Sequence, residues 1–198
     1  MSPRVVGVYG GSFDPVHRAH VEIARRARDQ VPCDEVWFVP AAVAVQKPHG
    51  PMAGAQDRVD MLEAAIAGEP GLAISDVDLG HPGRRALDTV LELDRRQPGV
   101  RWRWIMGQDS FDALDTWYRP EDLARHAPFV VQPRPGSSGT RLESFAGEPV
   151  TWLTGPELDV ASTGLREALQ RGERPEAIPA AVLGIIERRG LYRQEDER

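Results

Sequence analysis

The sequence predicts an α/β fold, a parallel sheet with helices packed on both faces. Three observations lead there. Apolar segments of strand length alternate with amphipathic segments of helix length along the chain, the pattern of a parallel sheet covered on both sides. The first apolar segment runs through a glycine turn straight into a helix start, and ligands of such sheets bind at the carboxyl ends of the strands. No internal repeat or linker divides the chain, so residues 1–198 read as one domain, long enough to bury a proper core.

The elements follow in order. Val5 to Tyr9 is a short buried strand, Gly10-Gly11-Ser12 a turn, and a helix begins near His17 with Val21, Ile23, Ala24 and Ala27 as its apolar face. Glu35 to Pro40 is a second buried strand. The loop from Ala41 to Ala55 is rich in Pro, Gly and Ala, and a long loop in a compact domain is usually functional. Gln56 to Ala67 is a helix on Val59, Leu62, Ala65 and Ile66; Leu72 to Leu79 is a strand; Arg84 to Arg96 is a helix on Leu87, Val90, Leu91 and Leu93. Arg101 to Met106 is a strand, followed by short helices around Phe111–Leu114 and Pro120–His126, then a strand over Pro128–Val131. Ser137 to Pro149 has little pattern and reads as a surface excursion. Val150 to Leu153 is the last strand, Ser162 to Arg171 and Pro179 to Arg189 are the closing helices, and Gln194 to Arg198 is a charged tail.

Composition narrows the function. Hydrophobic residues make up 41% and charged ones 27%, as in ordinary globular proteins. A formal charge of −6 argues against a nucleic-acid backbone as partner, which calls for a basic footprint. One cysteine, Cys33, excludes a disulfide framework and fits a reducing cytoplasm. No apolar run approaches the roughly 18 residues of a membrane span, and no secretory signal precedes the first strand.

The chemistry sits at the first turn. A glycine turn between a strand and a helix N-terminus gathers backbone N–H groups and the positive end of the helix dipole, which suits a phosphate. His17 and His20, three residues apart, share one face of the first helical turn and aim at the same place. The reading is a triphosphate-binding strand–loop–helix with two histidines over the phosphates. The dinucleotide pattern G-x-G-x-x-G is absent, so a nicotinamide-dependent dehydrogenase is not expected.

Gly10 to His20, GGSFDPVHRAH, resembles the GG[ST]FDPxHxGH signature of the nicotinate-mononucleotide adenylyltransferase family of nucleotidyltransferases, departing only at Ala19. Four later segments are similar to that family's: Val160 to Arg166 to its ISSTxIR, Gly107-Gln108-Asp109-Ser110 to its GxDS, Trp117-Tyr118 to its TW pair, and Arg134-Pro135-Gly136 to its RPG. Leu191-Tyr192 matches the terminal LY and reads as packing only. The resemblance implies a Rossmann-like nucleotidyltransferase fold and transfer of a nucleoside monophosphate from a triphosphate to an acceptor phosphate. In that reaction pyrophosphate leaves with Mg²⁺, and catalysis is positioning plus stabilisation of charge on the phosphate oxygens. His17, His20, Lys47 and Arg166 are then the catalytic groups. Gly10, Gly11, Ser12, Phe13, Ala19, Gly107, Asp109, Ser162 and Thr163 bind the nucleotide, with Ser162 or Thr163 capping its helix. Gln46, Lys47, Arg84, Arg85, Trp117 and Arg134 face the acceptor. No resident metal site is expected, and assembly into a homo-oligomer is left open.

The departures gather where the acceptor binds. Family members that adenylate nicotinate mononucleotide carry a [PT][ST]YT segment against the pyridine ring, whereas this chain has Gly83-Arg84-Arg85-Ala86. The loop after the second strand keeps Gln46 and Lys47 but loses the usual ring. Two arginines at a helix N-terminus suit a small, multiply charged anion. Ala19 in place of glycine narrows the space for the base. On these residues the reading leans to a cytidylyltransferase that uses CTP on a small phosphonate, of the phosphonoformate type. The alternative is ATP with nicotinate mononucleotide in NAD synthesis. A regulatory module without turnover would lack one of the phosphate-handling groups, and His17, His20, Lys47 and Arg166 are all present.

Overall fold

The computed structural model describes residues 3–42, 51–136, 139 and 141–193. Six strands form one parallel sheet in the order β3-β2-β1-β4-β5-β8. The central strand is β1 (Val5–Gly11), flanked by β2 (Glu35–Pro40) and β4 (Arg101–Gly107). Beyond them lie β3 (Leu72–Ile74) on one side and β5 (Phe129–Gln132) and β8 (Thr151–Trp152) on the other. The chain winds outward from β1 through β2 to β3, then returns to β4 on the opposite flank. The sheet's reversal point is therefore the β1–β4 boundary, in register from Val5 opposite Arg101 to Tyr9 opposite Ile105. The glycine turn stands at the carboxyl end of that boundary, where parallel sheets open a crevice.

Alternation along each strand supplies two cores. One face takes Tyr9, Val36, Phe38, Ile105 and Val130, and α1 (Arg18–Gln30), α2 (Ala55–Ile66), α6 (Ser162–Gln170) and α7 (Ala180–Arg189) cover it. The other takes Val6, Val8, Val39, Trp102, Trp104, Met106, Phe129 and Val131 beneath α3 (Ala86–Arg96), α4 (Gln108–Asp112) and α5 (Pro120–His126). The parallel sheet with helices on both faces that the sequence predicts is the one found.

Several boundaries differ for local reasons. The glycines Gly10 and Gly11 belong to β1 rather than to a turn beyond it. A Cβ at Gly10 would meet the Trp104 ring at 3.0 Å, so this position brings the β4 ring against the β1 backbone. β3 stops at Ile74 instead of Leu79, because Val77 and Asp78 turn away to bond α3 and its approach. α3 starts at Ala86, with Arg85 in an extended cap conformation. Phe111–Leu114 separates into α4 and a 3₁₀ turn over Leu114–Thr116. The excursion before β8 contains a hairpin, β6 (Ser144–Phe145) against β7 (Glu148–Pro149). Its two turn residues, Ala146 and Gly147, both have positive φ, and Phe145 packs on Phe111 and Phe129. Strands of two residues show no alternation, which is why the sequence carries no sign of them.

Candidate active site

The helix N-termini that follow β1, β4 and β8 open at the carboxyl edge of the sheet, and the site is built there. His17 is the N-cap of α1 and His20 stands one turn in. The two rings stack, centroids 3.7 Å apart and planes 26° from parallel. The His17 backbone N–H donates to His20 Nδ1 at 3.2 Å. In a neutral ring that leaves the proton, and with it the donor, on His20 Nε2. His17 is 2% exposed, and its Nδ1 is buried without a hydrogen-bond partner in the protein. A buried, unpaired polar atom at a helix N-terminus is a place for a ligand.

Burial pulls the His17 imidazole down from 6.5 to about 4, so the ring is neutral at ordinary pH. The unfolded chain, with histidine near 6.5, binds the extra proton first. Stability from the neutral ring is therefore complete above pH ~6.5 and lost as pH falls toward ~4, on the order of 3 kcal/mol in all. The urea midpoint of the free protein should fall across that window more steeply than that of His17→Gln. Parallel curves would contradict this account.

The turn before the histidines is held from behind. Phe13 has φ of 48°, a left-handed conformation that costs a side-chain-bearing residue about 1–3 kcal/mol. Its ring repays this by packing edge-on against Tyr9, Phe38 and His20, so the side chain lies in the core and only its backbone reaches the turn. Ser162 Oγ donates to the Pro15 carbonyl at 3.1 Å, and Arg166 Nη1 to the Asp14 carbonyl at 2.7 Å. Neither Ser162 nor Thr163 caps α6, a correction to the expectation above. Ala161 holds the cap position, because the Ser162 hydroxyl is turned back to the β1 turn and Thr163 Oγ accepts from Arg166 Nη2.

Opposite, a Cβ at Gly107 would meet nothing within 4 Å, which leaves that strand end open to a ligand. Asp109, in the first turn of α4, is ion-paired with Arg134 after β5, while Gln108 is buried and accepts from the Arg134 backbone N–H at 3.2 Å. Two groups assigned to different substrates thus pair with each other. Trp117 packs edge-on against Trp104, and its Nε1 is buried without a protein partner. Ala19 is 4% exposed and has little surface to offer a base.

Arg84 and Arg85 do not form a free cationic pair. Arg84 Nη1 donates to the Val77 carbonyl and stands 3.6 Å from the buried Asp78, whose carboxylate also accepts from Thr89 Oγ1. Arg85 bonds Asp88 at 3.0 Å and lies over the half-exposed Tyr118 ring at 3.5 Å. Carboxylates of the chain itself answer the charge that the sequence left unanswered. Gln46 and Lys47 lie outside the described residues. Among the described residues, no cluster of three His, Cys, Asp or Glu side chains is arranged to hold a metal ion.

The sequence reading gave no site role to three residues. Asp14 is buried at the centre of the turn; Tyr192 near the C-terminus bonds its carboxylate, and Arg58 of α2 bonds the nearby Ser12 carbonyl. Asp14 carried a signal within FDP and Tyr192 within LY; Arg58 carried none.

The family model described as "Cytidylyltransferase-like" matches residues 8–168. A protein of Gloeobacter violaceus named "Probable nicotinate-nucleotide adenylyltransferase" is 40% identical, covering 94% of this chain and 95% of its own. The chain belongs to the nicotinate-mononucleotide adenylyltransferase family of nucleotidyltransferases. A Bordetella avium relative of the same name is 36% identical over 95% of this chain and 98% of its own. The structure of Plasmodium falciparum nicotinic acid mononucleotide adenylyltransferase complexed with NaAD superposes with a TM-score of 0.79, at 18% identity, over 96% of this chain and 97% of that one. At that identity the likeness speaks for the fold. As a member of this family the protein is a nucleotidyltransferase enzyme, and the first-turn histidines occupy the family's signature. No described helix is long and apolar enough to cross a membrane.

Proposed function

We propose that the protein is a nicotinate-mononucleotide adenylyltransferase. A phosphate oxygen of nicotinate mononucleotide attacks the α-phosphorus of ATP, the bond from that phosphorus to the β-phosphate oxygen breaks, and deamido-NAD and pyrophosphate leave. His20 Nε2 and His17 donate to the phosphate oxygens as charge moves onto them, with Gly10, Gly11, Ser12 and the α6 N-terminus around Ser162, Thr163 and Arg166 holding the rest. Lys47 adds a cation from its loop. Mg²⁺ arrives on the triphosphate as part of the substrate. Gly107 and Asp109 take the nucleoside, and the site lies in the cytoplasm, where Cys33 stays reduced.

The observation that carries the choice of acceptor is the aromatic surface beyond α4. Trp117 and Tyr118, with Arg85 lying on the Tyr118 ring, offer flat faces and one adaptable cation, which fit a planar pyridine carboxylate. The names of the full-length relatives point the same way. The rival, CTP with a small phosphonate, drew its support from Arg84 and Arg85 acting together, and Arg84 is engaged by Val77 and Asp78.

Steady-state pyrophosphate release tests the proposal. Arg85→Ala should raise KM for nicotinate mononucleotide several-fold and leave KM for ATP alone, while Arg84→Ala should lower Tm instead. Faster turnover with CTP and a small phosphonate than with ATP and nicotinate mononucleotide would overturn it.

A further inference from the structure

Two features of the phosphate turn, the Asp14 carboxylate and the Ser12 carbonyl, are fixed by groups from far along the chain. The Asp14 carboxylate, 2% exposed, accepts the backbone N–H groups of Met52 at 2.8 Å and Ala53 at 3.0 Å. Its Oδ1 also accepts the Tyr192 hydroxyl at 2.8 Å, a bond between residues 178 positions apart. Arg58, 1% exposed, donates from Nη1 to the Ser12 carbonyl at 2.8 Å and from Nη2 to the Ala42 carbonyl at 3.4 Å. Its Nε is buried without a protein partner, so this guanidinium is retained at a cost in desolvation. A leucine would pack here without that cost. Leu191-Tyr192, expected only to pack, therefore closes a polar network.

The direction of these bonds bears on the site. A carbonyl and the next residue's N–H point opposite ways across a trans peptide. Drawing the Ser12 carbonyl toward Arg58 turns the Phe13 N–H away from it, and drawing the Pro15 carbonyl toward Ser162 turns the Val16 N–H away in the same manner. Burial beside Asp14 pushes the Tyr192 hydroxyl far above its usual range, so it stays protonated and always donates.

We propose that Tyr192 and Arg58 are positioning residues for nucleotidyl transfer: together they lock Asp14 and the Ser12 carbonyl so that the 12–17 turn presents its N–H groups and His17 to the triphosphate. The C-terminal end of the chain is thus coupled to the phosphate site. Neither residue touches substrate. The proposal rests on the reading of this turn as the triphosphate site, so its test has one readout that needs no nucleotide.

Tyr192→Phe keeps the ring and removes only the donor. It should speed amide exchange at Phe13, Val16 and His17 by about tenfold or more while amides of β4 stay unchanged. It should also lower kcat by ~10-fold, the scale of a small misplacement of reacting groups, without altering KM for the acceptor. Arg58→Lys, which keeps the charge but cannot span both carbonyls, should fall between wild type and Arg58→Met. Should Arg58→Met fail to fold, the lysine and Tyr192→Phe variants decide. Unchanged exchange in the turn overturns the proposal whatever the activity. A lowered Tm with wild-type kcat, measured where both proteins are folded, reduces the network to structure alone and overturns it too. Loosened exchange in a protein whose wild type releases no pyrophosphate supports the positioning and counts against the function proposed above.

Discussion

Replacing His20 by alanine should lower kcat about 10²–10³-fold and Tm by only about 2–4 °C, with little change in KM for the acceptor. The expectation comes from the tautomer. His20 Nδ1 is occupied by the His17 backbone N–H, so in the neutral ring Nε2 carries the donor. A preorganised donor at a developing negative charge is worth roughly 3–4 kcal/mol, which is that factor in rate. Loss of the cap bond alone would cost stability, about 1 kcal/mol, and hardly any rate. His20→Asn separates the two effects, because its amide oxygen can accept from the His17 N–H while its amide nitrogen falls short of Nε2. Asparagine should restore Tm and leave kcat low. Recovery of kcat in His20→Asn would mean that His20 only caps α1.

Asp14→Ala should be strongly destabilising, by about 3–5 kcal/mol. The carboxylate answers two backbone N–H groups and a tyrosine hydroxyl, and Arg58 and Arg166 stand near it. Removing the buried carboxylate leaves its donors uncompensated, the Met52 and Ala53 N–H groups, the Tyr192 hydroxyl and the Arg166 guanidinium 3.8 Å away. For a chain of this size the loss corresponds to a fall in Tm of about 10 °C. Asp14→Asn keeps the shape and one acceptor oxygen, and should recover part of it. A urea midpoint for Asp14→Ala within 1 kcal/mol of wild type would show that these donors find another acceptor or water.

The two predictions divide the turn by kind. His20 carries a donor at the proposed phosphate site and its loss is felt in the reaction; Asp14 is buried and its loss is felt in folding. The sequence shows the first kind and hides the second. His17 and His20 lie in one short segment, where helical spacing alone brings them together. The strands were equally legible, because Val36, Phe38, Ile105 and Val130 alternate with Trp37, Val39, Trp104 and Val131 between two cores. Tyr192, Arg58 and Asp14 meet only once the sheet has wound, and no local pattern marks a contact across 178 positions.

The arginines teach the converse. Arg84 and Arg85 stand at a helix start, where cations are badly placed unless an anion is near, and that rule holds in the structure. The anions are Asp78, brought back by a strand that ends early, and Asp88, one turn into α3. Sequence reasoning required a partner and looked for it in the substrate. The α6 start failed for a related reason: Ser162 has a better acceptor at Pro15 than in its own helix, and helix propensity does not know that.

The central claim is that this cleft moves AMP onto nicotinate mononucleotide. The most direct test is product identity: wild-type protein with equimolar ATP and CTP, Mg²⁺, nicotinate mononucleotide and a small phosphonate in one vessel, read by mass spectrometry. The account predicts deamido-NAD as the dominant nucleotide product. A cytidylyl-phosphonate as the dominant product would contradict it.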